Sequence, residues 1–245
     1  MTNTSKTTKK NHPSFIIMKR ELKSYFSGPI PYIVTGLFLI IAGIMFFSTF
    51  FFQDRAELRN YFTMLPLLLA FFIPAITMRL FSEEKRSGSF ETLMTLPVTE
   101  LNVVLGKYFA SLIGTLIMIA PTLFYVIAVF ICGSPDIGPI IGGFLGAIFL
   151  SASYTSIGLF ASSVTKNQII AFFIGFIICI VLTMLSSFLF LLPGPLVNFF
   201  SYLCADIHFE SISKGIIDTR DIIYFVSVTA FFLVLTVKTQ KKARV

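Results

Sequence analysis

From Pro139 to Ser163 the chain reads PIIGGFLGAIFLSASYTSIGLFASS, twenty-five residues without a charged side chain. After five intervening residues a second uncharged run follows, Ile169 to Leu192 (IIAFFIGFIICIVLTMLSSFLFLL), and the only charge between the two is Lys166. A helix rises 1.5 Å per residue, so about 20 apolar residues carry it across the hydrocarbon core of a bilayer. Each run is long enough for one passage, and Lys166 marks the turn between them.

The same test applied outward finds four more runs: Pro31–Phe52, Tyr61–Phe81, Tyr108–Ile131 and Ile222–Val237, the last being the shortest. Apolar residues make up 56% of the 245 and charged residues 13%, about half the charge expected of a soluble domain. In lipid every backbone amide must be paired within its own segment, which leaves helices as the natural solution for such runs. The sequence predicts an all-α integral membrane protein of six transmembrane helices in a single domain, residues 1–245.

The net charge is +7. Basic residues cluster at the ends of the apolar runs, so the charge reads as membrane topology and not as a nucleic-acid footprint. With the N-terminus placed in the cytoplasm, fifteen of the nineteen Lys and Arg residues fall inside; only Arg55, Arg59, Lys214 and Arg220 fall outside. Both termini are therefore expected in the cytoplasm. The N-terminus lacks the pattern of a cleavable signal peptide. Residues 1–13 read as a disordered tail. Ser14–Ser27 (SFIIMKRELKSYFS) sets Phe15, Ile16, Leu22, Tyr25 and Phe26 towards one face and Lys19, Arg20 and Lys23 towards the other, which suits a helix lying in the membrane surface.

Several chemistries have no footing. No ionisable residue stands near a span centre, as proton- or ion-coupled carriers usually require. The three cysteines form no CxxC pair, and His208, Glu210 and Asp218 fit no standard metal spacing. There is no catalytic set at depth and no phosphate-binding loop. The sequence predicts no catalytic residue, no metal and no cofactor in this chain, and energy for any transport would come from another one. Span four carries small residues at a spacing of four, Gly143, Ala147, Ser151 and Thr155, with a second row at Gly138, Gly142 and Gly146; small residues let helix backbones approach closely in lipid. Pro66, Pro74 and Pro121 are expected to bend spans two and three.

The most telling loop follows span two: RLFSEEKRSGSFETLMTLPVTE, from Arg79 to Glu100. Gly88 permits a sharp turn. Ser89 can cap a short helix with Glu91 in its positive first turn. Phe90, Leu93 and Met94 share one face. Pro97 disfavours helical geometry at Leu96 and closes the element, and Thr99 can cap the next helix. The reading is a short amphipathic helix, pinned at both ends, whose apolar face suits a groove on a partner protein.

This loop follows the pattern E-E-x-x-x-G-[ST]-x-E-x-L-x-x-x-P-[VI]-[ST], which resembles that of type-2 ATP-binding-cassette (ABC) exporter permeases, and most closely the gliding-motility (GldF-type) permeases. The resemblance extends over nearly the whole chain, including the helix before span one and the run Asp206–Tyr224, where His208, Phe209, Gly215, Asp218 and Asp221 stand at matching positions. It implies that Glu83, Glu84, Gly88, Phe90, Glu91, Leu93, Met94 and Pro97 belong to a cytoplasmic coupling helix that docks on an ABC ATPase subunit. It implies short re-entrant helices between spans five and six capping an outer gate. It further implies a second permease chain, ATP and Mg bound only on the ATPase, and residence in a bacterial cytoplasmic membrane. The competing expectation is a structural anchor of an ATPase-containing envelope or gliding complex that moves no substrate.

Overall fold

The computed structural model describes residues 12–53, 58–89, 98–133, 135–188, 197, 200–216 and 218–244. Among these residues every regular element is a helix. In chain order they are α1 (Pro13–Ser27), α2 (Ile30–Gln53), α3 (Arg59–Thr77), α4 (Arg79–Ser87), α5 (Glu100–Ile119), a 3-10 turn (Ala120–Thr122), α6 (Leu123–Cys132), α7 (Ile137–Val164), α8 (Gln168–Phe188), α9 (Ala205–Ser213) and α10 (Thr219–Arg244). Six stretches are long and apolar enough to cross a membrane: Ile30–Ser48, Arg59–Ser87, Glu100–Cys132, Ile137–Val164, Gln168–Phe188 and Thr219–Lys242. The protein is an all-α bundle with six candidate spans.

Several bounds differ from the expected ones, each for a local reason. The helix expected from Ser14 starts one residue earlier, at Pro13, where a missing amide proton costs nothing. Residues 1–11 lie outside the described residues. Span two does not end at Phe81. It continues to Ser87, interrupted at Met78, four residues after Pro74. Span three begins at Glu100 and not at Tyr108, because Thr99 caps it and the charge of Lys107 is neutralised inside the bundle. Pro121 sits in the 3-10 turn that divides this span. Span six runs well beyond Val237, to Arg244.

Helix α7 is the centre of the bundle, packed against α3, α4, α5, α8, α9 and α10. Its glycines explain how so many neighbours fit. A Cβ added to Gly143 would lie 2.3 Å from the Phe62 ring of α3, and one on Gly142 would lie 2.2 Å from the Ile212 carbonyl of α9. Gly158 meets Thr77 at the end of α3. Ala147, Ser151 and Thr155 are also buried. Between lipid-embedded helices water release contributes nothing, so close packing and interhelical hydrogen bonds must hold the bundle. Ser153 Oγ accordingly donates to the Phe225 carbonyl at 3.0 Å, and the Tyr154 and Thr183 hydroxyls meet at 2.6 Å.

The basic end of the bundle carries α1, the close of α4, the start of α5 and the close of α7. The opposite end carries Leu58, the α6–α7 turn and α9.

Candidate functional site at the basic end

Span two changes character below Pro74. Thr77 Oγ1 donates to the Ile73 carbonyl at 2.9 Å, the helix breaks at Met78, and α4 starts afresh. A new helix has amide protons in its first turn with no partner inside it. Ser162, at the far end of α7, satisfies them: its Oγ accepts from the amides of Phe81 at 2.9 Å and Ser82 at 3.1 Å, and donates to the Met78 carbonyl at 2.9 Å. A hydroxyl from one helix therefore caps the start of another. At the far end of α4, Lys85 Nζ donates to the Ser163 carbonyl.

The two glutamates of the loop pattern part company. Glu83 is exposed and accepts from Arg79 Nε at 3.0 Å within its own helix. Glu84 turns inward. Its Oε1 receives Lys107 Nζ of α5 at 2.8 Å. The same ammonium donates to the Leu80 carbonyl at 2.9 Å and lies 3.3 Å from Glu21 Oε1 of α1. Of its three N–H donors, two hydrogen-bond to Leu80 and Glu84, and Glu21 adds an ion pair. The Phe81 ring centroid stands 5.2 Å from the nitrogen. The Lys107 side chain is 1% exposed, whereas Arg20, which completes the group through Glu21 at 3.1 Å and Glu84 at 3.8 Å, is largely exposed.

Helix α1 follows the first turns of α5 with both chains running the same way. Ser14 Oγ donates to Asn102 Oδ1 at 3.1 Å, Ile17 packs on Gly106, where an added Cβ would be 2.8 Å away, and the Tyr25 ring lies over Gly114. Phe15 and Ile16 stay exposed beside Lys19 and Lys23. Burial pushes the Tyr25 phenol up to about 12, partly offset by Arg79.

The loop between α4 and α5 is held at both edges. Gly88 ends α4 with φ +75°, the left-handed region that a residue with a Cβ adopts only at a cost of about 1–2 kcal/mol. Ser89 Oγ lies 2.9 Å from Ser87 Oγ. At the other edge Thr99 Oγ1 accepts from the Asn102 amide at 3.3 Å and caps α5, with Glu100 in the first turn. Phe90, Glu91, Leu93, Met94 and Pro97 lie outside the described residues.

The second group of candidate residues gathers at the opposite end. His208 of α9 and Asp221 of α10 meet at 2.6 Å, Nδ1 to Oδ1, and the ring stacks on Tyr224 at 4.3 Å. His208 Nε2 faces the Tyr202 carbonyl at 3.3 Å. Both ring nitrogens thus face oxygens. Phe209 packs on Gly146, and Gly215 turns at φ +84° against Gly138. Asp218 accepts from the Arg220 amide at 3.0 Å and is exposed, away from the pair. Glu210 pairs with Lys214. Among the described residues no three His, Cys, Asp or Glu side chains are grouped to hold a metal. Burial pushes the Cys204 thiol up, as does Asp206, which suits a packed residue and not a nucleophile.

Sequence reasoning passed over Glu21, Lys107, Gly106, Gly158 and Ser162. Of these only Gly158 and Ser162 carried a signal that could have found them, since they extend the four-residue spacing of Gly138, Gly142 and Gly146 along α7. What the basic end gathers are caps and ion pairs. Among the described residues they tie the close of α4 to α1, to α7 and to the start of α5.

Residues 30–239 match the family model described as ABC-2 family transporter protein. A comparison with curated proteins finds no match. The matched stretch takes in the six spans, the Glu84–Lys107 pair and the His208–Asp221 pair.

Proposed function

This chain belongs to the ABC-2 family of transporter proteins, and we propose on that premise that it couples ATP hydrolysis on a partner to export of a substrate across a bacterial cytoplasmic membrane. As a member of the family it is a multi-pass permease subunit, and its ATPase is a separate ABC subunit. The segment between Gly88 and Thr99 is the docking element for that ATPase, with Phe90, Leu93 and Met94 as its apolar face. One observation carries this reading: a left-handed glycine closes α4, a threonine cap opens α5, and a buried ion pair locks the two helices one turn further in. A segment anchored this way passes on a push, where a slack loop would absorb it.

Both termini and the docking segment face the cytoplasm, in line with the fifteen-to-four division of basic residues. ATP and Mg belong to the partner. A second permease chain completes the pathway; in support, α2 leaves Tyr32, Ile33, Leu37, Ile40 and Ile44 exposed along one side. The loop pattern and the Asp206–Tyr224 run favour the gliding-motility branch of the family. The α9 segment acts as the re-entrant cap of the outer mouth, supported by its seating on Gly142 and Gly146.

The test is co-reconstitution with an ABC ATPase that assembles with this chain. Leu93→Asp with Met94→Asp, and separately Gly88→Val, should lower transport about tenfold or more per ATP hydrolysed while the chain still inserts. Full transport and normal assembly in these variants would refute the docking role. Labelling of the segment by an impermeant reagent from outside intact cells would refute the topology. Assembly and ATP hydrolysis with no vectorial movement of any offered lipid, glycan or peptide would favour the anchor reading.

A further inference from the structure

We propose that Lys107 is a positioning residue that makes α1 a third arm of the coupling device, so that α1 moves together with α4 and α5 when the docking segment is displaced. The inference rests on the reading of the Gly88–Thr99 segment as the docking element. Its physical basis is the way one ammonium is divided. Lys107 stands on α5, two of its oxygens belong to α4 and the third to α1.

Glu84 sits one turn before the entry to the docking segment, and Lys107 two turns after its exit. Among the described residues Lys107 is the only lysine or arginine that is buried. A buried charge is costly unless compensated, so drawing any arm away leaves ions unpaired in a poorly solvated place. The tie therefore resists separation of the helices but allows them to travel as a unit. Contacts along α1 reinforce it. Ser14 bonds to Asn102 beside the Thr99 cap, and Ile17 presses on the backbone at Gly106, next to Lys107. By contrast α1 meets α2 only where the chain turns, through the Gly28–Pro29 link and the Tyr32 hydroxyl, which donates to the Phe26 carbonyl at 3.0 Å, a far smaller contact than the one it makes with α5. Motion entering at the docking segment thus reaches α1 first through the ion cluster and α5.

Distance measurements between paired spin labels test this in the complex reconstituted with its ATPase in lipid vesicles. Cys132, Cys179 and Cys204 are replaced by alanine, and labels are placed at the exposed positions Lys19 on α1, Arg86 on α4 and Lys166 between α7 and α8. On addition of Mg with a non-hydrolysable ATP analogue, the parent should show the 19–166 and 86–166 distances shifting together while 19–86 holds. Glu21→Gln together with Arg20→Gln removes both charges that α1 contributes and leaves the Lys107–Glu84 pair intact. It should cut the 19–166 shift about twofold or more and leave the 86–166 shift in place. Lys107→Gln combined with Glu84→Gln, a neutral pair of similar shape, should do the same, and Lys107→Arg should restore the parent behaviour. An α1 shift of parental size in both Gln variants would overturn the proposal. If neither distance shifts in the parent, the docking reading itself falls and this inference falls with it, a result distinguishable from the first.

Discussion

The two ends of the bundle each bury an acid against a base, and they use the pair differently. At the opposite end His208 and Asp221 are thirteen positions apart, on consecutive helices, and their bond closes a local turn. At the basic end Glu84 and Lys107, on the consecutive helices α4 and α5, are joined by Glu21 of α1, sixty-three positions before Glu84. The first pair fixes the shape of a cap. The second joins parts that nothing in the covalent chain would keep together. An ion pair between sequence neighbours stabilises a local geometry, whereas one between distant helices determines what moves with what.

Single removals should expose that contrast. Lys107→Met leaves two carboxylates facing an apolar stem, and the loss should reach about 3–5 kcal/mol. His208→Leu leaves Asp221 unpaired but removes one local contact, and about 1–3 kcal/mol is expected. Thermal unfolding of both variants in the same detergent reads the difference, and equal losses would erase the distinction drawn here. A finer probe is Ser162→Ala, which strips the cap from α4 without touching a charge. About 1–2 kcal/mol should go, with faster amide hydrogen exchange at Phe81 and Ser82 and no change around α9.

The smallest effect concerns pH at the opposite end. Burial raises the Asp206 carboxyl above its usual range, opposed by the hydrogen bond that Ser186 donates and reinforced by nearby Glu210. A carboxyl whose value is raised on folding holds its proton more tightly in the folded state. Stability is then greatest in acid, falls as pH climbs past the ordinary carboxylate value of about 4, and levels off above the raised one. Tm followed over that interval should decline slightly in the parent and stay flatter in Asp206→Asn. A parent Tm that rose with pH while the variant stayed flat would contradict the sign.

The six spans were legible because uncharged runs of twenty or more residues have few other physical meanings. Gly88 and Thr99 were legible because a left-handed turn and a helix cap each demand a narrow set of residue types. Glu84 was not. Beside Glu83 it reads as half of an acidic doublet, and nothing local tells which of two adjacent carboxylates turns inward; the answer lies with Lys107, twenty-three positions away, and Glu21, sixty-three away. The bearing of α1 was equally hidden. Its basic and apolar residues suit a membrane surface, while its side-by-side course with α5 depends on Gly106 and Gly114, which look unremarkable in a run of apolar residues. Phe15 and Ile16 stay exposed on its other side.

The hydroxyl that Ser162 lends to α4 has a consequence for any working stroke. Were α4 to slide along α7 by even one turn, two amide protons would lose their acceptor in surroundings where no water can replace it. Sliding at that boundary is thereby discouraged, and the movement left to α4 against α7 is a pivot about the Ser162 cap, which swings Arg86 relative to Lys166. Pliancy must be sought where the backbone has it, at Gly28, which follows α1.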